Sequence, residues 1–148
     1  MSLLKDKVAI VTGGNGGIGL GIAEGLADQG ATIIIAARNE EKNKDAIKKI
    51  KLSSKDSETF KLDVNDQDSI NNLMKFTTEK YGKIDILVNN AGISRRSDEP
   101  HLLSRNDWND VIDTNLNSIH HMTSAVFPYL KKNKSGKIIN IGSMMSIF

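Results

Sequence analysis

The chain has 148 residues, with 20 lysines and arginines against 18 acidic residues and no cysteine. That length predicts one domain with a core of ordinary size, and the near-neutral charge gives no footprint for nucleic acid or a membrane surface. Disulfides and thiolate metal sites are excluded, and with no membrane-length apolar run and no signal core at the N-terminus, a soluble cytoplasmic protein is expected.

Short β-branched runs alternate with longer stretches of helical period, the pattern of a parallel sheet covered by helices on both faces. The first strand is expected at about Lys7–Val11 and ends in the string Thr12-Gly13-Gly14-Asn15-Gly16-Gly17-Ile18-Gly19. A helix follows, with Ile18, Ile22 and Leu26 read as its inward stripe and Gly21 and Gly25 as points of close packing. A second strand at Thr32–Ala36 leads to a helix over Glu40 to Leu52 that turns Ala46, Ile47 and Ile50 inward and its lysines outward. The third strand is expected at Thr59–Leu62. The third helix opens near Asp66, uses Ile70, Leu73, Met74 and Tyr81, and stops at Gly82. A fourth strand, Ile84–Val88, precedes a helix opened by the capping sequence Ser104-Arg105-Asn106-Asp107. Its stripe runs through Trp108, Val111, Ile112, Asn115, Ile119, Met122 and Val126, and Pro128 is expected to bend or end it. The fifth strand falls at Lys137–Ile141. Residues 1–148 are thus expected to form one doubly wound α/β domain.

Glycine-rich strings also serve plain turns, but this one ends a strand, opens a helix and lies inside a β-α-β unit. There, bare backbone can approach a pyrophosphate, and the helix presents its unpaired N–H groups and positive dipole end to the charge. The spacing is Thr-Gly-x-x-x-Gly-x-Gly. Two further motifs follow at strand ends, Asn89-Asn90-Ala91-Gly92 and Asn140-Ile141-Gly142-Ser143.

Together the three motifs resemble the short-chain dehydrogenase/reductase family. By that resemblance, residues 1–148 would be a Rossmann-like dinucleotide-binding domain, truncated after its fifth strand and incomplete at the C-terminus. The resemblance implies a nicotinamide cofactor across the strand ends, with Gly13, Asn15, Gly17, Ile18 and Gly19 around the phosphates. Asp63 and Val64 would then lie at the adenine, and Asn89, Ala91 and Gly92 along the ribose and sheet. It also implies hydride transfer between the nicotinamide and a secondary alcohol or ketone. Ser143 matches the serine that hydrogen-bonds the reacting oxygen, and Asn115 the helix asparagine of a water relay.

The second strand ends Ile35-Ala36-Ala37-Arg38-Asn39, without the acid that reads a ribose 2′-hydroxyl about 20 residues after the glycines. Arg38 offers a planar, permanently charged fork suited to a 2′-phosphate, so NADP(H) is expected over NAD(H), which stays possible. Glu40 and Glu41 beside it leave open the alternative that Arg38 is simply a solvated loop residue.

The family's Tyr-x-x-x-Lys pair is not encoded before Phe148. Tyr81 does not substitute, since it belongs to the turn before the fourth strand. Tyr129 is followed four residues on by Asn133. A chain without its general acid/base loses typically about 10²–10⁴-fold in rate. Two expectations therefore stand side by side: the N-terminal part of an active enzyme, or an inactive nucleotide-binding remnant.

The stretch Ile93-Ser94-Arg95-Arg96, with Met144-Met145-Ser146 after Ser143, is similar to the sugar-acid members of the family, gluconate 5-dehydrogenase and 2-deoxy-D-gluconate 3-dehydrogenase. The substrate implied is a polyol or sugar acid, with Arg96 and Met145 as its contacts. Arg96 is the group that could pair a carboxylate. The resemblance further implies a homodimer or homotetramer at full length. Adjacent His120 and His121 point in different directions on a helix, and His101 has no partner at ligand spacing, so no metal is expected.

Overall fold

The computed structural model describes residues 2–143. Five parallel strands, β1 (Val8–Thr12), β2 (Thr32–Ala37), β3 (Glu58–Lys61), β4 (Ile86–Asn89) and β5 (Lys137–Asn140), lie in the order β3-β2-β1-β4-β5. From β1 the chain first winds outward through β2 and β3, then returns to the other side of β1 with β4. Val11 accordingly pairs with Ile35 on one side and Val88 on the other. The carboxyl ends of β1 and β4 diverge at this reversal, which is where open parallel sheets bind their ligands.

Alternating side chains of the central strands feed two separate cores. Ala9, Val11, Ile33 and Ile35 pack with Ala23 and Ala27 of α1 (Gly17–Asp28) and with Ala46 and Ile50 of α2 (Glu40–Ser53). On the opposite face Val8, Ile10, Ile34 and Leu87 meet Leu73 and Met74 of α3 (Gln67–Tyr81). Met122 and Val126 of α5 (Ser118–Lys132) complete that layer. Burial on both faces explains why β1 is apolar along its length instead of alternating. The result is the expected doubly wound α/β sandwich.

Several local expectations need correction. Ile18 is 71 % exposed, and the residues α1 buries are Gly19, Ala23 and Ala27. Small residues at that spacing let the helix lie low on the sheet, which leaves Ile22 and Leu26 at the flanks and Ile18 off the sheet, exposed at its carboxyl end. Gly21 and Gly25 are exposed, with nothing within 4 Å of where a Cβ would stand, so they create no close contact. Of the two outcomes expected at Pro128, ending the helix does not occur: α5 continues to Lys132. The carbonyl that Pro128 cannot bond belongs to exposed Ser124, where water can serve it, while Val126 and Leu130 hold the helix on the sheet.

The expected fourth helix consists of three pieces: α4 (Arg105–Ile112), a π-helical stretch (Asp113–Asn117) and α5. The wider turn rotates the buried face, so α4 buries no residue and Trp108 is 58 % exposed. Burial begins at Thr114 and continues through Ser118, Met122, Val126 and Leu130. Asn115, expected among the apolar positions, is exposed.

Candidate active site

A cleft of about 470 Å³ opens over the carboxyl ends of β1, β2 and β4. Of the residues expected at a cofactor, Gly13, Asn15, Ile18, Gly19, Arg38, Val64, Ala91 and Gly92 line it. The other three stand beside it. Gly17 begins α1, Asp63 lies between the lining residues Leu62 and Val64, and Asn89 is buried at the end of β4. The Asp63 carboxylate accepts the Asn65 N–H at 3.0 Å. Asn89 Nδ2 donates to Asn140 Oδ1 at 2.9 Å, so this side chain ties β4 to β5.

The glycine loop is fixed by a polar lock between β1 and β4. Thr12 Oγ1 accepts both the Asn90 N–H and the Ala91 N–H at 2.9 Å, and donates to the Val88 carbonyl at 3.2 Å. Asn90 Nδ2 returns to the carbonyls of Thr12, at 3.0 Å, and Gly13, at 3.2 Å. Around that lock there is no room for side chains. A Cβ on Gly13 would stand 3.1 Å from Asn90 Nδ2 at a φ of +62°, and one on Gly19 would overlap Asn90 Nδ2 and the Gly13 carbonyl. Gly17, at a φ of +52°, faces open space. Helices α2, α3 and α4 are capped by the side chains of Asn39, Asp66 and Ser104, whereas the residue that precedes α1 is Gly16, which offers no side-chain cap. Its first-turn N–H groups are thus left for a ligand, and bare backbone beside them fits a pyrophosphate.

The far end of the cleft is basic. Arg38, Asn39 and Lys42 line it. The two glutamates beside Arg38 are engaged elsewhere, Glu40 with Lys61 at 3.4 Å and Glu41 with Lys44 at 2.8 Å. Neither Arg38 nor Lys42 forms an ion pair among the described residues.

On the β4 side Asn115 braces the loop after Gly92. Its Oδ1 accepts the Ile93 N–H and its Nδ2 donates to the Ile93 carbonyl, both at 2.8 Å, and Ile93 lines the cleft. Asn65 Nδ2 donates to Thr114 Oγ1 at 2.9 Å, which secures the π-helical stretch at the adjoining wall. Ser143 is exposed just past β5. Arg96 lies in a separate cavity of about 660 Å³ with Arg95, Arg105 and Trp108. Arg95 is held there by Asp107 at 3.5 Å and Asp110 at 3.6 Å, while Arg96 has no carboxylate partner among the described residues. Met145 lies outside the described residues.

Neither tyrosine serves this site. Tyr81 ends α3 near the amino edge of the sheet, donates to the Asp56 carbonyl at 2.6 Å, and has its pKa pushed up to about 12, by burial first and then by Glu58 and Asp56. A proton-transfer tyrosine needs the opposite shift. Tyr129 lies near the same edge, where Asn133, four residues on, donates to the Ile84 carbonyl at 3.0 Å.

Sequence reasoning missed Thr12 and Asn90 as the lock, although both stand inside motifs it singled out. It also missed Lys42, and it missed Asn43, whose signal was a polar residue on the inward spacing of Ala46 and Ile50.

A family model described as short chain dehydrogenase matches residues 7–148, and the chain belongs to the short-chain dehydrogenase family. It is 44% identical over 148 residues to a 3-oxoacyl-(acyl-carrier-protein) reductase FabG of Chlamydia muridarum, covering 99% of this chain and 59% of that protein. With the Vibrio harveyi reductase of the same name it shares 41% over 145 residues, covering 96% and 57%. Among solved structures, NAD+-bound xylitol dehydrogenase matches with a TM-score of 0.94 at 27% identity, covering 98% of this chain and 56% of that one. The structure of gox2181 matches at 0.93 and 33%, with the same coverage. The chain thus spans a little over half the length of these proteins. Neither curated relative is named for a sugar acid, so the family is common ground and the narrower likeness to gluconate dehydrogenases is not. No helix among the described residues is long and apolar enough to cross a membrane.

Proposed function

We propose that the protein carrying this chain is an oxidoreductase that interconverts a secondary alcohol and a ketone, with NADP(H) preferred over NAD(H). The observation that carries it is the cleft: an uncapped helix start over bare glycine backbone at one end, unpaired Arg38 and Lys42 at the other. Gly13, Asn15, Gly17, Ile18 and Gly19 hold the pyrophosphate, Asp63 and Val64 the adenine, and Asn89, Ala91 and Gly92 support the ribose side. Arg38, with Lys42, takes the 2′-phosphate. A bound nicotinamide would supply or accept the hydride at the carbinol carbon. Ser143 donates to the oxygen on that carbon, and Asn115 fixes the loop that forms the cleft wall. Three exposed apolar side chains, Trp108, Leu116 and Phe127, support a homodimer or homotetramer.

The substrate proposed is a sugar acid such as gluconate, with Arg96 pairing its carboxylate and Met145 beside it. Arg96 supports this because no carboxylate among the described residues neutralises it, unlike Arg95. The likeness to the FabG proteins favours a second substrate, a 3-oxoacyl thioester. NADP-linked turnover of gluconate-like acids, neutral polyols and 3-oxoacyl thioesters separates them. We expect the acids to be turned over and Arg96→Ala to raise their KM about tenfold, one lost charge-assisted contact, with neutral polyols changing less than twofold. Turnover of thioesters alone, or equal effects on acids and polyols, contradicts the sugar-acid assignment.

A further inference from the structure

Asn43 is a buried amide on the inward face of α2, only 2 % exposed, at a position where Ala46 and Ile50 show that the helix otherwise buries apolar side chains. Such a group is costly unless paired at both ends. Its Nδ2 donates to the Ala37 carbonyl at 2.9 Å, and its Oδ1 accepts from Asn15 Nδ2 at 2.8 Å. Ala37 is the last residue of β2 and directly precedes Arg38, while Asn15 belongs to the glycine loop. The same Asn15 Nδ2 lies 3.4 Å from the Asn39 carbonyl, and Asn39 caps α2 by accepting the Lys42 N–H at 2.9 Å. One side chain therefore joins the two ends of the cleft: the loop over the uncapped helix, and the strand end that carries Arg38.

We propose that Asn43 is a positioning residue that registers the pyrophosphate loop against the Arg38 and Lys42 seat, so that a 2′-phosphorylated dinucleotide meets both at a fixed separation. It deepens, and rests on, the assignment of the 2′-phosphate to Arg38. A ligand gripped at two points gains most from their being pre-arranged, because less ordering is left to binding. NADPH uses both points and NADH only the loop. Breaking the link therefore weakens both cofactors and weakens NADPH more.

The test is titration of the full protein with NADPH and with NADH, followed by cofactor fluorescence, for the parent, Arg38→Ala, Asn43→Leu and the double variant. Thermal unfolding runs in parallel to confirm folding. Leucine fills the volume of Asn43 and removes both hydrogen bonds. We expect Asn43→Leu to raise the Kd of NADPH about tenfold and that of NADH about threefold, within the range of one or two lost buried hydrogen bonds. In the Arg38→Ala background it should weaken the two cofactors by the same factor, since the second grip is already gone. If Asn43→Leu does not fold, Asn43→Asp decides by the same criterion. It keeps the acceptor for Asn15, sets a carboxylate against the Ala37 carbonyl, and should lower the preference for NADPH. A merely structural role would lower the melting temperature and leave the preference where it was, and that result overturns the proposal. If Arg38→Ala itself leaves the preference unchanged, the 2′-phosphate assignment falls and the proposal with it. If Arg38→Ala lowers the preference and the Asn43 variants do not, the proposal alone falls.

Discussion

The two walls of the cleft are built on different principles. The wall formed by β1, α1, β2 and α2 is backbone with its side chains interlocked. Thr12, Asn90, Asn15 and Asn43 all spend their polar groups on main-chain atoms or on each other, and the glycines exclude anything larger. Beyond β4, the other wall is looser and more exposed. Arg95, Arg96 and Trp108 stand on the surface, and Asn115 fixes the loop at Ile93. A ligand whose shape does not vary suits the first wall, and one whose chemistry varies suits the second.

If the first wall is rigid by construction, cutting its lock should cost most. Thr12→Val is nearly isosteric but leaves the Asn90 and Ala91 N–H groups without their acceptor. We expect a loss of about 1–3 kcal/mol for each group that stays buried and unpaired, read by urea unfolding. Gly19→Ala comes next. Its methyl group would overlap Asn90 Nδ2 and the Gly13 carbonyl, both already held by hydrogen bonds, and overpacking of this kind costs about 1–3 kcal/mol. Weaker NADPH binding should accompany it.

A charge cluster under the outer edge of the first wall sharpens the comparison. Glu58 on β3 accepts from Lys80 at 3.0 Å and Lys51 at 3.5 Å, and the Lys80 bond above all holds its carboxyl below the ordinary 4.5. Its contribution is present above that value and is lost as pH falls through the lower folded one. Glu58→Gln should therefore be less stable than the parent at pH 7 by about 0.2–1 kcal/mol, as for exposed pairs, and the gap should close below pH 4.5. Thermal melts across that range read it directly. The smallest effect belongs to the second wall. At Gly92 a methyl group would stand 3.4 Å from Asn115 Oδ1, an ordinary contact, so Gly92→Ala should stay within about 0.5 kcal/mol of the parent in the same urea series. Equal costs at Gly19 and Gly92 would dissolve the distinction between the walls.

Periodicity and motif spacing made the sheet legible. Strands buried on both faces are apolar runs, and the loops at their carboxyl ends announced themselves through glycine and asparagine. What stayed hidden depends on contacts between segments distant in sequence. Thr12 reaches Asn90, and Asn43 reaches Asn15, because the fold brings them together, and no local pattern records that. The π-helical stretch at Asp113–Asn117 was invisible for a related reason. One widened turn rotates everything before it, so a stripe that correctly holds Met122 and Val126 goes astray at Asn115 and back through Trp108. Ile18 misled similarly, since an apolar residue at a helix start reads as core, while the structure turns it into the cleft.

The central claim is that the cleft accepts a dinucleotide with its 2′-phosphate on Arg38. Titration of the full protein with NADPH and NADH, each in parent and Arg38→Ala forms, tests it most directly. Tighter NADPH binding by the parent, reduced about tenfold or more by Arg38→Ala with NADH little changed, is the expected result for losing a charge-assisted fork on phosphate. Tighter binding of NADH by the parent, or an equal loss of both cofactors in the variant, would contradict it.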